Sequence, residues 1–422
     1  QILPDRDLPW HVLTDLMHQM EGVPRHLSIH VGGMLITSSP LVDIVPLERA
    51  TMPDRVVVQW NKDSVEDAGL IKVDLLALRT LGMVEEALAH MQTTRKERPD
   101  LDSLPLDDPR VYAMLQQADT IGCFQVESRA QIQMQPKMQP RCFEDIIIEV
   151  ALIRPGPIQG NMVHPYLRRR QGLEPVSYAH TTLEPVLAET LGVILFQEQV
   201  LKVARNLAGF SAGQGEKLRR ALGAKRATEE IARFRDAFLA GAKEAAVPDA
   251  VAQTIFEQLL AFGGYSFAKS HAAAFAVLVY QSAWLKKYHP AAFFAALLNN
   301  QPMGFWNAAV LVNEIRRQGM TVWPVDIHQS STWCSVEENG IRLGLRYVKG
   351  LPEDQVLRIL SERELRPYDS LLDFCLRTRI GQGNVENLIM AGGMDGWGIP
   401  RRQLMWELGT LNLDQEMLDL VY

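Results

Sequence analysis

The stretch Ile71 to Gly82, "IKVDLLALRTLG", changes its periodicity halfway along. At its start Ile71, Val73 and Leu75 alternate with Lys72, Asp74 and Leu76, so a strand would carry the two sets on opposite faces. From Leu78 to about Met91 the apolar residues recur at helical spacing. The stretch therefore reads as a strand running directly into a helix. It also places one carboxylate and one ammonium together, opposite an apolar stripe, so Asp74 is expected to be open rather than packed. A strand-borne carboxylate suits Mg²⁺ in phosphoryl or nucleotidyl transfer, with the ammonium set against phosphate charge. From these residues alone the plainer reading is favoured: a same-face ion pair on a half-exposed strand, which contributes almost nothing to stability.

Outward from this stretch, 422 residues that are 47% apolar and 22% charged are enough for a large core, divided among about two to four compact units. No run reaches the ~18 apolar residues of a membrane span, and no secretory signal is legible, so a cytoplasmic protein is expected. Cys123, Cys142, Cys334 and Cys375 lie far apart with no zinc-ligand spacing. The net charge of -7 argues against nucleic acid as a partner, but the basic residues are clustered. Arg168 to Arg170, Lys217 with Arg219 and Arg220, Lys225 with Arg226, Lys286 with Lys287, Arg316 with Arg317 and Arg401 with Arg402 leave room for a basic face.

Asp7 to Glu21 has helical spacing, "RVVVQW" reads as a strand, and Pro99, Pro105 and Pro109 mark a connector. Beyond Val111 the pattern is largely helical. "HAAAFAVLVYQSAWLKKYHPAAFFAALLNN" predicts two helices broken at Pro290. "GMTVWPVDI" and "GIRLGLRYVKGL" predict short strands, and a last helical module begins near Ser370. In it, "NVENLIMAGGMDGWG" sets two glycines behind a short amphipathic helix.

Four further constellations carry candidate chemistry. "KLRRALGAKR" would turn Lys217, Arg219 and Arg220 broadly one way on a helix, with Lys225 and Arg226 just past its end. That is a phosphate clamp or, more plainly, a solvated basic face. "RPGPIQGN" fixes a turn that aims Arg154, and "SFAKSHAAAF" puts Lys269 and His271 at a helix start with Ser270 as its cap. His26 and His30 stand four apart, but the intervening turn chemistry and the lack of a third ligand exclude a metal pair. Neither a Walker A loop nor a GxSxG elbow occurs.

The order of these motifs is more specific than any one of them. "QWNKDSVEDAGLIKVDLLALRTLG", "GCFQVESRAQ", "CFEDIIIEVALIRPGPIQGNMVHPYLRRRQG", "GVILFQEQVLKVARNLAGFSAGQGEKLRRALGAKR" and "FGGYSFAKSHAAAFAVLVYQSAWLKKYHPAAFFAALLNNQP" together resemble the bacterial C-family DNA polymerases, the alpha subunits of DNA polymerase III. "MVHPYLRRRQGLEPV" and "LLNNQPMGFW" resemble the error-prone branch used in damage-induced mutagenesis.

The resemblance implies a mainly helical α+β fold: the end of a thumb at 1–28, the C-terminal part of a nucleotidyltransferase palm at 29–80, fingers at 81–360 and a helix-hairpin-helix module at 361–422. It implies a DNA-directed DNA polymerase that extends a primer 3′ end in translesion synthesis. The substrates would be primer-template DNA and deoxynucleoside triphosphates, with two Mg²⁺ ions. Asp74 matches a catalytic, metal-holding palm aspartate and Lys72 the lysine beside it. Arg219 and Arg220 match triphosphate-binding fingers arginines; Arg154, Lys269 and His271 fall in signature segments near that pocket. Lys217, Lys225, Arg226, Arg401 and Arg402 are the candidate DNA contacts.

A sliding clamp and mutagenesis accessory proteins are implied partners, with "QEMLDL" at Gln415 to Leu420 a weak clamp-like pattern. The family's other two palm aspartates form a D-x-D pair expected upstream of Gln1, which implies that this chain is catalytically silent alone. Where the family has "FNKSH" this chain has Ala268 in place of Asn. The alternatives are a nucleotidyltransferase of another family and a non-catalytic DNA-binding or scaffolding module.

Overall fold

The computed structural model describes residues 9–23, 29–30, 32–75, 78–153, 163–223, 228–263, 267–338 and 340–411. Arg154, Lys225, Arg226, His26 and the Gln415 to Leu420 pattern lie outside them. The chain divides into two compact units, Gln1–Leu78 and Arg79–Tyr422.

The first unit holds the helix Trp10–Met20 and two antiparallel ribbons. Strand β1 (Gly33–Ile36) pairs with β4 (Ile71–Asp74), setting Gly33 opposite Asp74 and Leu35 opposite Lys72. Strand β2 (Leu47–Arg49) pairs with β3 (Val56–Val58), the core of the expected "RVVVQW" strand. A short helix, Lys62–Asp67, leads into β4 and is capped by the Asn61 side chain, which accepts from the Ser64 N–H at 2.8 Å.

The expected alternation on β4 is present, but its apolar stripe is not the sheltered side. Ile71 is 64% exposed and its cross-strand partner Ile36 is 58% exposed, whereas the Lys72 side chain is only 25% exposed. Alternation fixes which residues share a face; it does not say which face is covered.

The second unit is mainly helical and is built on three separate apolar cores. In the first, helices Lys269–Tyr288 and Pro290–Asn299 pack against Arg79–Arg95, Pro109–Gln116 and Phe143–Leu152. Pro290 occupies the first turn of its helix, where its missing N–H costs nothing, so the expected break is where the sequence puts it. The "LLNNQP" signature acts structurally here. Asn299 bridges Glu86 at 2.6 Å and the Cys334 backbone, and Asn300 takes the second Glu86 oxygen at 2.7 Å.

The second core joins helices Gln197–Ala208, Ala212–Gly223, Thr228–Glu244 and Asp249–Gly263. The left-handed Gly209, at φ 67°, ends the first of them.

The third core carries helices Glu353–Leu365, Leu371–Thr378, Gln382–Ala391 and Arg401–Thr410. Ser370, near which the sequence places the start of this module, caps the second, and Gly392 at φ 87° closes the third. Before this module lies a three-stranded mixed sheet, with β7 (Gly340–Arg342) between β5 (Thr321–Trp323) and β6 (Ser335–Glu337). Among the described residues no helix is long and apolar enough to cross a membrane.

Candidate functional site

Asp74 closes β4 with its side chain 57% exposed, so it is open as expected. The Lys72 ammonium reaches its Oδ1 at 2.6 Å, and that hydrogen bond holds the carboxyl below the usual aspartate range. His30 Nδ1 stands 3.8 Å from the same oxygen. Gly33, directly opposite, makes room for this trio: a Cβ there would lie 2.8 Å from Lys72 Cε and 2.9 Å from His30 Nδ1. Sequence reasoning weighed His30 only as a metal ligand, because its place beside Asp74 depends on the β1–β4 register.

The ribbon offers one carboxylate with a cation already on its oxygen. Mg²⁺ keeps several waters and takes one or two carboxylates per ion, so Asp74, Lys72 and His30 do not fit a two-ion site by themselves. Among the described residues no group of three His, Cys, Asp or Glu side chains is arranged to hold a metal.

In the second unit, Arg219 and Arg220 lie on helix Ala212–Gly223 and meet on one carboxylate. Arg219 forks onto Glu216, donating from Nε to Oε2 at 2.9 Å and from Nη2 to Oε1 at 2.7 Å. Arg220 Nε donates to Glu216 Oε1 at 3.0 Å. Arg219 Nη1 also reaches Gln197 Oε1 at 3.3 Å. The two guanidinium groups hold the Glu216 carboxyl down at about 2, so it is ionised at any physiological pH. Lys217 is exposed on the same helix.

Lys269 opens its long helix, and the Nζ sits 2.5 Å from Glu189 Oε2. Ser270 is not the cap. The cap position is Ala268, which has no side-chain acceptor, and the Lys269 N–H donates instead to both oxygens of Glu198 at 3.0 and 3.1 Å. His271 is exposed and its ring packs between those of Phe267 and Phe275, at 5.0 and 4.2 Å. Glu198 and Gln197 begin helix Gln197–Ala208, so the starts of two helices and the Arg219 fork come together. Asp74 and Lys72 belong to the first unit and this cluster to the second.

The basic runs divide between surface and interior. Lys286 is buried, donating to Asp119 Oδ1 at 2.9 Å and to the Asp119 and Ile121 carbonyls. Arg170 pairs with Asp145 at 2.5 Å and Arg317 with Glu314 at 2.6 Å. Arg401 is locked across the hairpin onto Asp395 and the Met390 carbonyl, whereas Arg402 is exposed. Arg402, Met405, Trp406, Gly409 and Thr410 line a shallow cavity of about 310 Å³ on the last helix. A single basic face is therefore not what most of these runs build.

Sequence reasoning missed Glu216, Glu198 and Glu189. Glu216 had a local signal, since it stands three and four residues before the two arginines, the spacing at which charges pair on a helix. Glu198 and Glu189 lie 71 and 80 residues from Lys269 and had none.

Comparison with known proteins defines the class first. The family description "Bacterial DNA polymerase III alpha NTPase domain" matches residues 3–77, and "Bacterial DNA polymerase III alpha subunit finger domain" matches 80–246. A helix-hairpin-helix motif matches 319–404. These follow one another in the order expected from the motifs, and the chain belongs to the bacterial DNA polymerase III alpha, or C, family.

Within that family it is similar to error-prone DNA polymerases. It is 46% identical over 420 residues to that of Anaeromyxobacter dehalogenans, covering 94% of this chain and 37% of the relative. To that of Teredinibacter turnerae it is 42% identical over 411 residues, or 96% and 40%. To that of Corynebacterium glutamicum it is 45% identical over 399 residues, or 94% and 38%. The chain thus spans about two-fifths of the length of these relatives.

Proposed function

We propose that this chain serves within an error-prone DNA-directed DNA polymerase that adds deoxynucleotides to a primer 3′ end during damage-induced or translesion synthesis. The observation that carries the reading is the run of family matches in order, with Asp74 and Lys72 on the ribbon of one segment and the arginine fork in the next. In this reading residues 1–28 end the thumb, 29–80 complete the palm, 81–360 form the fingers and 361–422 the hairpin module.

The ionised Asp74 carboxylate, opposed by Lys72, is the anionic group of the palm, and Lys72 balances phosphate charge. Arg219 and Arg220 bind the triphosphate, with Lys269 and His271 beside them and Arg154 as a further nucleotide-binding residue. Arg402, Lys217, Lys225, Arg226 and Arg401 serve the primer-template backbone, which the hairpin module grips without reading sequence. Mg²⁺ would be the cofactor, with carboxylates additional to Asp74; cytoplasmic location, a sliding clamp and mutagenesis accessory proteins belong to the same reading.

The test is a graft of this chain into the Anaeromyxobacter relative in place of its matching segment. Primer extension should survive the graft and fall at least about a thousandfold with Asp74→Asn, on the scale of removing a key electrostatic group. The isolated chain should give no extension above an Asp74→Ala control. The exposed Arg402 and the hairpin motif also suit a non-catalytic DNA-binding module. That reading gains if the grafted enzyme is inactive while the chain binds DNA with a steep salt dependence and no response to triphosphate.

A further inference from the structure

Three guanidinium N–H groups converge on Glu216: two from Arg219 in a fork and one from Arg220. A fork on two oxygens is also how arginine takes a phosphoryl group, so the carboxylate occupies the position and geometry of an anionic ligand. Gln197 holds the remaining Arg219 nitrogen from a neighbouring helix, which keeps the fork aimed whatever sits on its other side. The same pattern recurs beside it. Lys269 Nζ is met by Glu189, and the N–H that opens the Lys269 helix, where an anion would be welcomed, is met by Glu198. The two arginines thus share one carboxylate, while Lys269 Nζ and its helix start each meet another.

Glu216 differs from the other two carboxylates in one respect: it lies on the same helix as the arginines it binds, three and four residues before them. Its release needs only rotation about its own side-chain bonds, with no movement of backbone or neighbouring helix. Its side chain is 36% exposed, so a freed carboxylate reaches water directly. A pair at this spacing and exposure is weak, and a polyanion can displace it.

We propose that Glu216 is a built-in stand-in for the triphosphate: it holds Arg219 and Arg220 in their binding orientation and is displaced when a nucleotide's phosphates arrive. This rests on the reading of these arginines as the triphosphate site. It adds a competing anion that sets how tightly that site binds and that keeps the guanidinium groups from seizing the wrong polyanion. Because Glu216 stays charged through the physiological range, the competition is constant rather than pH-gated.

The test is calorimetric binding of inorganic tripolyphosphate and of dATP to the 422-residue chain at low salt, for the wild type, Glu216→Gln and the Arg219→Ala/Arg220→Ala double variant. Glu216→Gln keeps the size and the oxygen but removes the charge. It should bind both probes about fivefold more tightly, the factor that an exposed pair of this class carries. The double variant should lose binding. If the double variant loses binding but Glu216→Gln binds equally or more weakly, Glu216 only positions the arginines; the stand-in role is overturned and the site reading stands. If the double variant binds like the wild type, or no protein binds either probe, the site reading fails and the proposal with it.

Discussion

Glu149 is fully buried in helix Phe143–Leu152, and among the described residues neither of its carboxylate oxygens has a hydrogen-bond partner. Burial, with Asp145 one turn away, pushes its carboxyl up to about 8. An acid whose folded-state pKa is raised binds its proton more tightly folded than unfolded. Its stabilising effect is complete below the unfolded value, near 4.3, and drains away as pH climbs towards 8. Glu149→Leu removes the titration and the orphaned oxygens together. It should leave stability at pH 5 little changed and raise it at pH 8 by as much as about 4 kcal/mol, read from urea midpoints across that range. A wild-type midpoint that is flat from pH 5 to 8 would contradict this. Lys286 shows the opposite treatment of a buried charge, with every donor near a carbonyl or a carboxylate. Asp74 and the arginine pair were legible in the sequence because strand alternation and helical spacing are local. That Lys286 faces inward was not, since its partners Asp119 and Glu314 lie on other segments.

The start of the Lys269 helix shows how an element boundary can be supported from elsewhere in the chain. Its existence and its break at Pro290 followed from local pattern, but its cap did not, because Ala268 has nothing to offer and Glu198 comes from another helix. Glu198→Ala should destabilise the unit by about 1 kcal/mol, the usual cost of losing a cap. Ala268 has extended backbone angles, φ -71° and ψ 132°, which an asparagine cap also adopts. The added substitution Ala268→Asn should therefore restore most of the lost stability in the Glu198→Ala background, and thermal melts of the two variants decide it. Failure of that rescue would mean that Glu198 acts through Lys269 and Arg219 rather than through the helix end. The β4 strand gives the complementary lesson. Which residues share its face was readable from alternation, and which face is covered was not.

Across the whole molecule, the class of fold and the sequence of segments were legible because five long motifs stand in a fixed order. Glu189 and Glu198, which meet the Lys269 side chain and helix start, were not, because their spacing along the chain carries no signal. Fold was thus easier to read than site.

Among the described residues the three cores of the second unit share no fully buried residue, and half-buried Leu343 alone is packed against two of them, the first and the third; this bears on how the protein comes apart. Heated, it should have no single melting temperature. Scanning calorimetry should resolve more than one transition, with a van't Hoff enthalpy well below the measured one. Phe238→Ala, which empties a fully buried position in the Gln197 to Gly263 bundle, should cost that bundle about 3–5 kcal/mol and leave the hairpin module's transition in place. A single two-state peak that shifts as a whole would show the cores to be coupled. Under independent melting, damage to one core is not felt by the next, so the helices that carry Arg219 and Arg220 can open while the hairpin module stays folded.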